Sequence, residues 1–271
     1  MVPAAPHAED IPPKVSLCGV RKSYTRSSGE RIEAMVDVNL EIADGEFVCI
    51  VGPSGCGKST LLNLIAGLDR PDAGEVLVDG SCIRSPGPER AMLFQEPALF
   101  PWMNILDNVQ YPLRLKGLPA TERRELAERW LAKVGLADFE AAQPHELSPG
   151  MRQRAALARG LACQPAVLLA DEPFGTLDAQ SRELLQEELQ RVWSETQNTV
   201  VFVTHNVREA VFLADRVLLM TARPGTFVAE HRISTSRPRS WADALLASVV
   251  ADIHDHLLKE VREAVQDAVD G

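Results

Sequence analysis

The chain has 271 residues, is 45% hydrophobic and carries a formal net charge of −10 at pH 7. That length accommodates one large domain or a domain with a sizeable insert, with apolar content enough for a core. The acidic balance argues against a nucleic-acid binder that works by neutralising phosphates, and no apolar run approaches the roughly 20 residues that cross a bilayer.

Residues 1 to about 13 are Pro- and Ala-rich and acidic; they read as a disordered tail without the basic and apolar regions of a signal peptide. Residues 15–20 alternate weakly and predict a strand. Shortly after comes Tyr24, one of only two tyrosines. Its ring could stack on a nucleobase, with ordinary surface or core packing as the plain alternative. A turn at 27–30 leads to an alternating run at 32–42, the second strand of a hairpin. Asp44-Gly45 then turns the chain into residues 46–51, a β-branched apolar run that reads as a buried strand of a parallel sheet.

The next stretch, Gly52-Pro53-Ser54-Gly55-Cys56-Gly57-Lys58-Ser59-Thr60, matches G-x-x-x-x-G-K-[ST] between that strand and a helical run at 61–68. The context gives the pattern a mechanism. Glycines without β-carbons let successive amides point inward and cradle phosphate oxygens at a helix N-terminus. Lys58 would reach the β- and γ-phosphates and the Ser59 hydroxyl would ligate Mg²⁺.

A turn at 71–74 precedes a short strand at 75–79, and residues 92–95 form an apolar run closed by Gln95. From about Pro97 to Cys163 the periodicity is helical. Thr121 is the expected N-cap of a helix with Leu126, Trp130, Leu131 and Val134 on one side, ending near Lys133 and Gly135. A helical insert within an α/β core is the organisation this predicts. Residues 166–173 are too few for a free-standing helix and read as a strand that delivers Asp171 and Glu172 to the carboxyl edge of the sheet, where α/β folds bind ligands. Two acids opening a surface turn is the simpler alternative.

Residues 180–193 predict an amphipathic helix that packs Leu184, Leu185, Leu189, Val192 and Trp193 into the core. The β-branched run 199–204 ends on His205, which falls at the same sheet edge and is a candidate catalytic group. Past residues 216–220 and an Arg223-Pro-Gly225 turn, Leu246, Val250, Ile253, Leu257, Val261 and Val265 recur at steps of three and four. They predict a C-terminal helix docked on its own domain, with a regulatory or dimer contact as the alternative. His254 and His256, two apart, make a poor metal pair on a helix. Five cysteines without a C-x-x-C pair fit reduced thiols rather than a disulfide or zinc framework. Cys56 is expected to be functionally inert but open to alkylation. No internal repeat is visible.

The segment Glu146-Leu-Ser-Pro-Gly-Met-Arg-Gln-Arg154 completes a series. Taken with the phosphate loop, Gln95, Asp171-Glu172, Gly175-Thr-Leu-Asp178 and His205, in this order, it resembles the ATPase subunits of ABC transporters over about residues 15–235. Phe94-Gln-Glu-Pro-Ala-Leu-Phe-Pro-Trp102, Met151-Arg-Gln-Arg154 and Arg223-Pro-Gly225 are similar to the nitrate, aliphatic sulfonate and taurine importers. The resemblance implies an α/β fold of the P-loop NTPase class. Its RecA-like core with an antiparallel β subdomain would occupy 14–95 and 164–235, an inserted helical subdomain 96–163, and a helical extension 236–271.

The ligands implied are ATP and Mg²⁺. Tyr24 is similar to the adenine-stacking aromatic, residues 52–60 to the Walker A loop, and Asp171 to the Walker B aspartate that holds Mg²⁺ with Ser59 and Gln95. Glu172 matches the residue that polarises the attacking water, and His205 the switch histidine. Ser148, Gly150 and Met151 match signature positions that meet the γ-phosphate held by another subunit; Asp178 matches the D-loop aspartate between subunits. With one copy of each motif, two composite sites need a head-to-tail homodimer. The other partners implied are two integral-membrane permease subunits and, through them, a periplasmic or lipid-anchored solute-binding protein. The place implied is the cytoplasmic face of the membrane, with no nucleic acid involved and nitrate, sulfonate or taurine-like anions as solutes. A repair or translation ATPase of the same superfamily would call for a long coiled-coil insert or two motif sets, and neither is present. Three positions depart from the pattern: Pro149 stands where glycine is usual, Thr176 where alanine is usual and Asn206 where aspartate is usual. If Ser148 caps the helix, Pro149 falls at its first position, where proline is tolerated.

Overall fold

The computed structural model describes residues 12–270, with side chains described as far as Lys259; the expected acidic tail lies outside the described residues up to position 11. In chain order the elements are β1 (Val15–Thr25), β2 (Arg31–Ile42), β3 (Phe47–Val51), α1 (Lys58–Ala66), β4 (Ala73–Val78), β5 (Ser81–Cys82), β6 (Arg90–Leu93), α2 (Ile105–Leu115), α3 (Ala120–Lys133) and α4 (Pro149–Ala162). They continue with β7 (Val167–Asp171), α5 (Ala179–Thr196), β8 (Thr199–Thr204), α6 (Val207–Leu213), β9 (Arg216–Met220), β10 (Phe227–Arg232) and α7 (Ala244–Asp270).

The strands form two sheets. An antiparallel sheet has the order β2-β1-β4-β5, and a six-stranded sheet has the order β10-β9-β3-β8-β7-β6, parallel except for β10. The continuous apolar runs of β3, β7 and β8 follow from burial on both faces. In β3, Phe47, Cys49 and Val51 join a core shared with α2 to α7, while Val48 and Ile50 join a second core with α1 and the antiparallel sheet. Alternate side chains go to opposite faces, so the central strands hold the two cores together. The helices between β6 and β7 contribute Ile105, Leu131 and Leu157 to the same cluster as Phe202. They share the sheet's core.

Two sequence expectations are corrected here. Thr121 does not cap α3: Pro119 occupies the cap with ψ 150°, its carbonyl accepting from Arg123 N at 3.0 Å, and Thr121 lies inside the first turn. Leu184 is not a core residue but is 68% exposed, because the buried face of α5 is centred on Leu185, Leu189 and Val192, one helical step around from it. The C-terminal helix begins at Ala244 and docks on its own chain, burying Leu246 and Ile253 beside the stacked rings of Phe212 and Trp241. Val250 and Leu257 pack partly against the same core, whereas the side chains of Val261 and Val265 lie outside the described residues.

Candidate functional site

β3, β8 and β7 are adjacent and parallel, so their carboxyl ends lie at one sheet edge. Val51 is in register with Thr204, and Asp171 with Val203. The residues that follow each strand, Gly52, His205 and Glu172, therefore enter one neighbourhood from three separate parts of the chain.

The phosphate loop links β3 to α1. Gly57 is the N-cap of α1 at φ 105°, a left-handed conformation, and no side chain caps the helix. A β-carbon there would stand 3.0 Å from the Ala34 carbonyl oxygen and from Met35. The first N–H groups of the helix receive no side-chain cap, and the dipole there favours negative charge. Lys58 is 6% exposed and folds back over the loop, Nζ donating to Gly52 O at 2.8 Å and Pro53 O at 2.9 Å. Cys56 corrects the alkylation expectation: it is fully buried, and burial pushes its thiol pKa up.

Ser59 Oγ donates to Asp171 Oδ1 at 3.1 Å. Burial, with Glu172 as a further negative neighbour, raises the Asp171 carboxyl pKa against the lowering effects of the Ser59 hydrogen bond and of Lys58. Glu172 has φ 43°, unusual for a residue with a side chain; its N donates to Val203 O at 2.9 Å and its carbonyl accepts from Gly175 N at 3.0 Å. Its Oε2 lies 2.8 Å from His205 Nδ1. Tyr24, 41% exposed, is fixed through its hydroxyl, which donates to Asp69 Oδ2 at 2.9 Å, and Lys22 Nζ lies 5.1 Å from its ring centroid.

One cavity of about 480 Å³ is lined by Tyr24, Lys58, Ser59, Thr60, Glu172 and Arg223, among others. Ser54, Gly55 and Gly57 also border it. Gln95 does not: it is exposed just past β6, with Nε2 3.4 Å from where a Gly175 β-carbon would stand. The signature segment lies apart as well. Ser148 caps α4, Oγ accepting from Met151 N at 3.3 Å, with Pro149 in the first turn. Ser148 and Gly150 line a different cavity, of about 350 Å³, together with Ser181 and the exposed Leu184. Met151 packs against the core, and exposed Asp178 caps α5, accepting from Ser181 N at 3.0 Å. Those capping bonds hold its carboxyl below the ordinary aspartate range. Asn206, at the third departure, caps α6, its side chain accepting from Arg208 N and Glu209 N.

Sequence reasoning missed two arginines of the cavity. Arg26 is paired with Glu30 at 2.9 Å, and Arg223 enters from the loop between β9 and β10. For Arg223 a signal existed, since the Arg-Pro-Gly phrase stood out in the sequence without an assigned task.

Residues 35–175 match the protein-family model described as ABC transporter. The chain is 50% identical over 203 residues to the nitrate import ATP-binding protein of Synechocystis sp., covering 75% of this chain and 76% of that one. It is 49% identical over 212 residues to the taurine import ATP-binding protein of Chromobacterium violaceum, covering 78% and 81%. Among solved structures, a dimeric ATP-binding cassette in a post-hydrolysis state with ADP and Pi aligns with a TM-score of 0.72 at 35% identity, over 82% of this chain and 100% of that one.

Proposed function

The chain belongs to the ABC transporter family, and from that premise we propose that it is the ATP-hydrolysing subunit of a small-anion importer, working as a pair of copies on two membrane-spanning permease subunits. One observation carries the chemistry. A single cavity is bordered at once by an aromatic ring, a phosphate-loop lysine and a carboxylate held by a histidine, the groups that base, phosphates and attacking water require.

Lys58 exchanges the carbonyls of Gly52 and Pro53 for phosphate oxygens, while the loop amides and the N-terminus of α1 gather the charge that develops on the leaving phosphate. Glu172 accepts a hydrogen bond from water and aims it in line, with His205 fixing the carboxylate. Tyr24 supplies the stacking face. The donor set fits magnesium: a hydroxyl and a carboxylate, both hard oxygen ligands, already within hydrogen-bond reach of each other. When bound by Ser59 and Asp171, Mg²⁺ would neutralise phosphate oxygens. Gln95, which approaches Gly175 just after Glu172, would be the third ligand.

The second half of the site comes from the other copy. Ser148, Gly150 and Met151 begin a helix whose N-terminus borders another cavity, so they meet phosphate only across a dimer, with Asp178 near the seam. The relative solved as a dimer with ADP and Pi supports that arrangement. Among the described residues no helix is long and apolar enough to cross a membrane, so a permease must supply the path. The similarity to nitrate and taurine import proteins favours small anions as solutes, chosen by a periplasmic or lipid-anchored binding protein on the far side of a membrane whose cytoplasmic face holds this subunit.

Glu172→Gln tests the mechanism. It should lower ATP turnover of the permease-bound complex by at least about 100-fold while leaving ATP binding in place. Turnover within twofold of wild type would refute the assignment. For the transport part, the chain should co-purify in detergent with a multi-span protein; recovery with ribosomes or DNA would contradict it.

A further inference from the structure

Among the described residues, Arg223 is the one basic side chain of the cavity that neither the phosphate loop nor an ion pair accounts for. Its Nε and Nη2 both donate to the carbonyl of Gly55, at 3.3 and 3.2 Å. The loop that carries it is pinned on three sides. Thr221 N donates to Thr226 O at 2.9 Å and Thr226 N to Thr221 Oγ1 at 3.0 Å, closing the turn. Gly225 N donates to Ala34 O at 2.9 Å and Gly225 O accepts from Val36 N at 3.3 Å, tying the turn to β2. A β-carbon on Gly225 would stand 1.9 Å from the Cys56 carbonyl oxygen, so the turn lies directly on the phosphate loop and only glycine fits there.

Charge supplies the second line of argument. Arg26, on the same cavity, is offset by Glu30, but among the described residues Arg223 has no carboxylate within ion-pairing distance. The chain as a whole carries −10, so acidic partners are plentiful and this cation is spared them. A guanidinium has five N–H donors in a rigid fork; two are spent on Gly55, leaving three beside a cavity that already holds Lys58.

We propose that Arg223 is a phosphate-binding residue of the nucleotide pocket, anchored on the Gly55 carbonyl and contributing its remaining N–H groups to the polyphosphate alongside Lys58. This rests on the ATPase function proposed above and extends it to a loop 168 positions away from Gly55 in sequence.

The test is equilibrium binding of ATP, ADP and AMP, each with Mg²⁺, to the full chain carrying Arg223→Gln, Arg223→Lys or, as reference, Lys58→Ala. Glutamine can still donate to Gly55 O but is neutral, so Arg223→Gln should weaken ATP about tenfold, ADP less, and AMP within twofold. Arg223→Lys, which keeps the charge and loses the fork, should fall between wild type and glutamine. Thermal unfolding of each variant should match wild type. If Arg223→Gln leaves ATP affinity unchanged, or weakens ATP, ADP and AMP alike, the residue only braces the loop and the proposal is overturned. If wild type and Lys58→Ala bind ATP equally poorly, the nucleotide assignment falls as well, a result distinct from failure of Arg223 alone.

Discussion

Glu209 lies 4% exposed beneath the histidine edge of the site, Oε1 accepting from Gln186 Nε2 at 2.7 Å. Burial pushes its carboxyl pKa up from 4.5. An acid with a raised folded pKa binds more protons folded than unfolded. Its contribution is therefore present at low pH and is lost as pH rises from about 4.5 through the raised folded value. Glu209→Gln, close in shape and never charged, should remove that loss and raise stability at pH 7.5 by about 1 kcal/mol relative to wild type, with little difference at pH 4.5. Urea unfolding at the two pH values checks this; a gain that does not grow with pH would count against it. The cysteines give a second residue-scale outcome. Cys18 and Cys82 are exposed and should react with a maleimide in the native protein, whereas Cys56 and Cys49, both buried with raised thiol pKa values, should label only on unfolding. Mass-resolved labelling of Cys56 at the native rate of Cys18 would contradict the buried loop. Exposure of this kind was not legible in the sequence, because a cysteine in a glycine-rich loop reads as accessible until the turn at Gly225 is seen to cover it.

Elements differed in how clearly they announced themselves. β3, β7 and β8 were plain because burial on both faces demands uninterrupted apolar runs, and the chemistry follows directly at their ends. α6 left no amphipathic trace, since six of its seven residues are buried, and β10 alternates in burial while its sequence, Phe-Val-Ala-Glu-His-Arg, does not alternate in polarity. α2 carries Pro112 inside it, a residue that reads as a break. α6 also depends on a partner from far along the chain. Arg239, 5% exposed, donates through Nη1 to the carbonyls of Val211, Phe212 and Ala214 at 3.0, 3.1 and 2.6 Å, satisfying the helix end. Gln190 brackets its backbone, accepting from Arg239 N at 2.7 Å and donating to Arg239 O at 3.3 Å. Burial lowers the guanidinium pKa to about 10, so the group stays charged at neutral pH. Arg239→Met would leave those carbonyls without a donor and should lower the unfolding free energy by roughly 2–3 kcal/mol. A urea midpoint equal to wild type would show that the carbonyls find other partners.

At the scale of the molecule, the separation of two cavities sets the behaviour. Tyr24, Lys58 and Glu172 border one and Ser148 and Gly150 the other, with no lining residue in common, and under the proposed function a second copy brings the two together around one triphosphate. Leu184, 68% exposed in the second cavity, adds apolar surface that a partner would cover. Each copy carries −10, which opposes pairing of bare copies at low ionic strength; under the proposed function, ATP held between the phosphate loop of one copy and the Ser148 helix of the other supplies the contacts that offset it. In a Glu172→Gln background, where bound ATP persists, sedimentation should give a monomer without nucleotide and a dimer with Mg²⁺ and ATP. Adding Ser148→Glu places a carboxylate where the partner's phosphate would come. That double variant should stay monomeric with ATP while binding ATP as tightly as its parent does at concentrations too low for the parent to dimerise, because Ser148 does not border the chain's own nucleotide cavity. Loss of ATP affinity in the monomer would mean that Ser148 acts on its own chain. Persistence of the dimer would mean that the copies meet elsewhere, and either outcome removes the composite site.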